Sequence, residues 1–138
     1  MGCDIHLHIE LKIKGQWRHY NHPRVPRVYD LFAKMAGVRN YDGIEPIAEP
    51  KGLPDDVAFI TKFCSDRLGI DGQSHSWLGL DEIKTLYECI CERLDVKISI
   101  DKEYFGYLFG NSFPGFLEYP QDYPSELEDV RFVFWFDN

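Results

Sequence analysis

The chain has 138 residues, 44% of them hydrophobic and 28% charged, with a formal net charge of −8. That composition belongs to a folded, soluble protein rather than a disordered one, and no apolar run is long enough to span a bilayer. The acidic balance argues against a nucleic-acid polymer as partner, since that needs a Lys/Arg surface, but leaves room for a small anionic ligand held by a few arginines and backbone amides.

At this length one domain is expected, covering residues 1–138. The opening apolar positions alternate with ionisable ones, so they do not read as a secretory signal, and a cytoplasmic location is expected. Gly2 is discounted as a myristoylation site because His6 stands where Ser or Thr is required. Cys3, Cys64, Cys89 and Cys91 read as free structural thiols. Cys89-Ile90-Cys91 lacks the two-residue spacer of zinc or redox pairs, and no second pair exists.

Residues 3–10 alternate without a break. Cys3, Ile5, Leu7 and Ile9 fall on one side of an extended chain, and Asp4, His6, His8 and Glu10 on the other. A strand is predicted, buried on its apolar side and offering titratable or metal-binding groups on its polar side. Gly15-Gln16 reads as a turn into a second strand around Trp17–Tyr20. Leu31, Phe32, Met35 and Val38 recur at helical spacing, so a helix is predicted over 29–36 with Gly37 ending it. Residues 39–54 carry Pro and Gly without a period and read as a long ordered loop. A second helix is predicted over 55–68, with Val57, Ile60, Cys64 and Leu68 inward and Gly69 as its stop. Residues 70–79 read as a second polar loop, and a third helix is predicted over 80–94 with Ile83, Leu86, Tyr87, Ile90 and Leu94 inward. A strand is expected over 96–100, and an irregular aromatic layer or lid over 101–127. The acidic stretch 125–129 reads as a solvated loop. Residues 129–138 are almost continuously β-favouring, as expected of a central strand buried on both faces. These elements predict an α+β fold: a small antiparallel sheet of about four strands with about three helices packed on one face.

The sequence resembles a family of phage, prophage and bacterial proteins usually labelled only as hypothetical or phage proteins. The likeness covers most of the chain. It is carried by the opening Met1-Gly2-Cys3-Asp4-Ile5-His6 with Glu10, by Tyr29-Asp30-Leu31-Phe32-Ala33 and Gly37-Val38-Arg39-Asn40, and by Gly52-Leu53-Pro54. His75-Ser76-Trp77-Leu78 and the ending Val133-Phe134-Trp135-Phe136-Asp137-Asn138 complete it. Gly79 departs from the pattern, standing where a hydroxyl residue capping the third helix is more usual. The resemblance implies a phage-linked setting and no particular chemistry.

Three readings of the first strand stand side by side. In the first, His6 with His8, completed by Asp71, His75 and Asp137, binds a divalent metal, Zn or Mn by donor type. All four polar groups of the strand cannot share one ion, because Asp4 and Glu10 lie roughly 20 Å apart. In the second, His6 oriented by Asp4 does acid/base chemistry, with His75 as a further catalytic candidate. In the third, Asp4 and His6 are a buried hydrogen-bonded pair, while His8 and Glu10 form an exposed cross-strand pair with Lys or Arg opposite. Arg39, Asn40, Ser76, Trp77, Arg131 and Trp135 are the candidate ligand-binding residues, suited to a phosphate and a stacked base, although so many aromatics also suit a core. No nucleophile elbow or P-loop is present, and Cys3 lies on the apolar side of its strand. The expected function is a small metal-dependent hydrolase acting on a nucleotide-like phosphoester. The alternatives are a non-catalytic binder that sequesters a nucleotide signal in anti-defence, and a structural or accessory phage protein.

Overall fold

The computed structural model describes residues 2–94, 98–110 and 113–138. Strands β1 (Asp4–Ile13) and β2 (Gln16–Asn21) form the N-terminal hairpin. Helices α1 (Tyr29–Ala36) and α2 (Phe59–Leu68) follow, then strand β3 (Gln73–Leu78) and helices α3 (Leu80–Leu94), α4 (Ile98–Phe109) and α5 (Phe113–Glu118). Strand β4 (Leu127–Asp137) closes the described chain. The strands pair antiparallel in the order β2-β1-β4-β3, so the fold is α+β with β1 and β4 central.

Alternation explains why β1 and β4 sit together. Ile5, Leu7, Ile9 and Leu11 oppose Phe136, Phe134, Phe132 and Val130, which places all eight side chains on one face. Leu31, Phe32 and Met35 of α1, Ile83 and Leu86 of α3, and Phe105, Leu108 and Phe109 of α4 pack on that face to make the core. Each fully buried side chain of this size contributes about 1.5–3 kcal/mol. The other face carries Asp4, His6, His8 and Glu10 against Asp137, Trp135, Val133 and Arg131. Both faces of β4 are covered, which accounts for its unbroken apolar sequence.

Several expectations need correction. The hairpin turn is Lys14-Gly15, with φ of 52° and 73°, one residue before the predicted Gly15-Gln16; both residues adopt the left-handed region that suits strand twist. The segment 70–79, expected as a loop, holds a short 3₁₀ turn (Gly69–Asp71) and then β3, the fourth strand of the sheet. The strand expected over 96–100 is not that fourth strand: 98–100 begin α4, and 96 and 97 lie outside the described residues. The aromatic stretch 101–127 is largely helical, built from α4, α5 and a 3₁₀ turn (Pro120–Asp122), and β4 already begins at Leu127 within the acidic stretch. Helices pack on both sides of the sheet rather than one. Gly37 ends α1 as predicted, at φ 72° with its N–H donated to the Ala33 carbonyl. At the start of α3, Glu82 accepts the Gly79 N–H at 3.1 Å, so the carboxylate half of a capping box serves where no hydroxyl is present.

Helix α2 begins at Phe59, four residues later than predicted, and of the expected stripe Val57, Cys64 and Leu68 are half-buried whereas Ile60 is exposed. Thr61 and Ser65 are buried, while Phe59, Ile60 and Phe63 are exposed. The physical reason is its seat. It covers the polar face of the sheet, where small side chains fit and Ser65 hydrogen-bonds His75.

Candidate functional site

The polar face divides into a covered middle and an open end. In the middle, four of the five histidines, His8, His19, His22 and His75, gather near Trp135 or beside one another, and the fifth, His6, borders Trp135 from the open end. The His8 ring lies 5.0 Å from Trp135 and 4.2 Å from His22, near-parallel to both, and His75 stacks 5.7 Å from Trp135 on the β3 side. His8 Nδ1 and His19 Nε2 are hydrogen-bonded at 2.9 Å, and His22 Nδ1 donates to the Leu7 carbonyl at 2.7 Å. Ser65 of α2 bonds His75 Nε2 at 3.1 Å. Gly72 sits against the His75 and Trp135 rings, where a Cβ would meet both at 3.4 Å.

Burial favours the neutral form of three of them, His8, His19 and His75. The His8 pKa is lowered to about 3, first by burial and then by the neighbouring His22, His19 and His6. His19 and His75 are also lowered, each chiefly by burial, with Lys62 adding to the effect at His75. Trp135 Nε1 and Thr61 Oγ1 are buried without a hydrogen-bond partner among the described residues, and each such group costs about 1–3 kcal/mol. That cost weakens the contact between α2 and the sheet.

The expected exposed pair of His8 and Glu10 is instead buried at both positions. Glu10 Oε1 accepts from Arg131 Nε at 2.8 Å, Glu10 Oε2 accepts the Ala58 N–H at 3.0 Å, and Arg131 also holds Asp56 at 2.8 Å. The Arg131 guanidinium lies 4.0 Å from the Trp17 ring. Arg131 is therefore committed within the protein, clamping the segment that leads into α2 onto the sheet.

At the open end, His6 Nε2 and Asp137 Oδ2 are 2.5 Å apart, with side chains 30% and 24% exposed. Asp137, not Asp4, orients His6. Asp4 lies directly opposite Asp137 across the β1–β4 ladder, but its carboxylate receives Arg27, with Nε at 2.6 Å and Nη2 at 3.2 Å. That hydrogen bond holds Asp4 below its ordinary pKa, with the Arg27 charge and His6 acting in the same direction. Arg39 Nη2 donates to the Asn138 side chain at 2.8 Å and Nη1 to the Tyr41 hydroxyl at 3.1 Å, so a second guanidinium stands beside the last residues of β4. Gly2 packs so closely on the Arg27 guanidinium that any side chain there would displace it. Cys3, buried behind this end, has its thiol pushed up by burial and is no nucleophile.

The structure thus brings His6, Asp137, Asp4 and Arg39 to one end of the sheet and places His8, His75 and Trp135 beneath α2. It does not bring the remaining candidates to the His6–Asp137 pair. Asn40 closes its own loop, with its side chain bonded to Ile44 N at 2.8 Å and Ile44 O at 2.6 Å. Ser76 is buried and accepts the Lys51 N–H. Trp77 packs under Lys51, 4.0 Å from the ring. Asp71 is exposed in the 3₁₀ turn before β3. Among the described residues no three His, Cys, Asp or Glu side chains converge as a ligand set for one ion. Arg27, His19, His22, Ser65, Tyr41 and Asn138 went unrecognised from sequence. The alternation of Trp17, His19 and Asn21 along β2 was the one available signal, marking His19 as a neighbour of the polar face.

Compared with protein families, curated proteins and solved structures, the chain matches none. No helix among the described residues is long and apolar enough to cross a membrane.

Proposed function

We propose that this protein is a small hydrolase acting on a phosphate-bearing, nucleotide-like substrate at the His6–Asp137 pair, in the cytoplasm of a phage-linked host. The observation that carries the reading is the 2.5 Å bond between His6 Nε2 and Asp137 Oδ2 at a part-exposed position flanked by two arginines. A carboxylate can only accept, so Nε2 carries the proton and Nδ1 presents its lone pair. In the proposed step, Nδ1 takes a proton from water as the water oxygen bonds to phosphorus. Asp137 stabilises the imidazolium, and the proton then passes to the leaving oxygen as the P–O bond breaks. Arg27 and Arg39 neutralise charge on the phosphoryl oxygens. In the metal-dependent form of this reading, His6 would instead hold a Zn or Mn ion through Nδ1, with Asp137 orienting the ring from Nε2, and the ion would acidify the attacking water.

A second reading, a binder that sequesters a nucleotide, is favoured by Tyr41. This tyrosine is 71% exposed and its hydroxyl bonds Arg39, which offers a stacking surface beside a phosphate-holding group. Phosphate release from a nucleotide panel, with and without added Mn or Zn, separates the two. The hydrolase reading expects turnover that falls about 10²–10⁴-fold in His6→Ala, whereas the binder reading expects ligand recovered unchanged.

A further inference from the structure

Helix α2 turns three large apolar side chains to solvent. At about 3.6 residues per turn, Phe63 lies opposite the buried Thr61 and Ser65, with Phe59 beside it along the same stripe. Phe59, Ile60 and Phe63 are 81%, 51% and 55% exposed, and Ile70, just past the helix, is 100% exposed. The Phe59 and Phe63 rings stack at 6.3 Å, so the patch is continuous. A run of large apolar side chains facing water on one short helix marks an interaction surface.

The charges beside the stripe identify what fits it. Lys62 and Asp66 lie together on one flank, 2.6 Å apart and both more than half exposed. An antiparallel two-fold packing keeps like flanks together and reverses the helix direction. With the axis beside residue 64, Lys62 of one copy meets Asp66 of the other, and the reverse pair forms at the same time. In the same register the two Phe63 side chains lie one residue to either side of the axis, and Phe59 faces the C-terminal end of the second copy's helix. The Lys62 and Asp66 positions match reciprocally in this arrangement, which requires nothing but this chain, and Arg67 lies on the other flank, beside Ile60. A membrane surface fits less well, because the molecule carries a net charge of −8.

We infer that α2 is the contact of an antiparallel, two-fold homodimer, closed by the Phe59–Phe63–Ile70 stripe and reciprocal Lys62–Asp66 pairs. The test is sedimentation equilibrium of the full chain from micromolar to submillimolar concentration, beside Lys62→Glu, Asp66→Lys and Phe63→Ser. All three positions are exposed, so circular dichroism and thermal midpoint should stay close to wild type. Wild type should reach twice the chain mass, and Phe63→Ser should remain a monomer. Each charge reversal alone should raise the dimer dissociation constant at least about tenfold, because it sets like charges face to face. Mixing the two reversed chains should restore a dimer containing one of each, since both facing pairs are then opposite in sign. A wild type that stays monomeric throughout overturns the inference, whatever else α2 binds. So does a mixture that associates no better than the separate reversals.

Discussion

Replacing Arg131 with Met removes the guanidinium while keeping much of the side-chain volume. In the folded protein Glu10 is fully buried and Arg131 nearly so, and their charged atoms approach to 2.7 Å. Without Arg131, the Glu10 carboxylate keeps a single described hydrogen bond, from the Ala58 N–H. Breaking one side of a buried ion pair costs about 3–5 kcal/mol, because the remaining charge is left without compensation. At roughly 3 °C per kcal/mol for a chain of this size, the thermal midpoint should fall by about 10–15 °C. Urea unfolding should show the loss as a lower midpoint at unchanged slope. The double replacement Glu10→Leu with Arg131→Met removes both charges and should recover most of the loss. An Arg131→Met protein within about 1 kcal/mol of wild type would refute the clamp and return Arg131 to its expected ligand-binding role.

Acid should destabilise the fold through His8, His19 and His75, whose pKa values desolvation lowers. Each has a folded pKa below its unfolded value near 6.5, so as pH falls below that value the unfolded chain takes up protons that the folded chain refuses, and stability drops by up to about 1.4 kcal/mol per pH unit per group. For His8 the loss continues toward its folded pKa of about 3. Thermal midpoints measured from pH 7 down to 5 should fall steadily, and less steeply in His8→Gln; a flat profile would contradict their burial. Gly2→Ala should push the flexible Arg27 off Asp4 with little effect on stability, since the pair is half-exposed. Its expected signature is weaker substrate binding with an unchanged thermal midpoint.

The elements that read correctly from sequence are those whose pattern reflects a single boundary between apolar and polar surroundings. The alternation over β1 names its two faces, and Leu31, Phe32 and Met35 before Gly37 give α1 its limits. Strand β3 was hidden because it is an edge strand with one neighbour. It also carries Ser74 at φ 54° within an irregular register, so its polar residues read as a loop. Helix α2 was legible only in part: Val57, Cys64 and Leu68 are half-buried, but an apolar residue such as Ile60 carries no sign of which side faces the protein. The pairing of His6 depended on the ladder. Asp4 and His6 are neighbours about 7 Å apart along one strand, whereas Asp137 reaches His6 from β4, a relation only the register supplies.

The central claim rests on the His6–Asp137 pair, and the most direct measurement is phosphate release from a nucleotide panel by wild type, His6→Ala and Asp137→Asn. All three should share one thermal midpoint within a few degrees, because both side chains are part-exposed. The account predicts turnover by wild type that falls by about 10²–10⁴-fold in His6→Ala and substantially in Asp137→Asn. Turnover left intact in both variants, or no turnover of any nucleotide by wild type with or without added Mn or Zn, would contradict it.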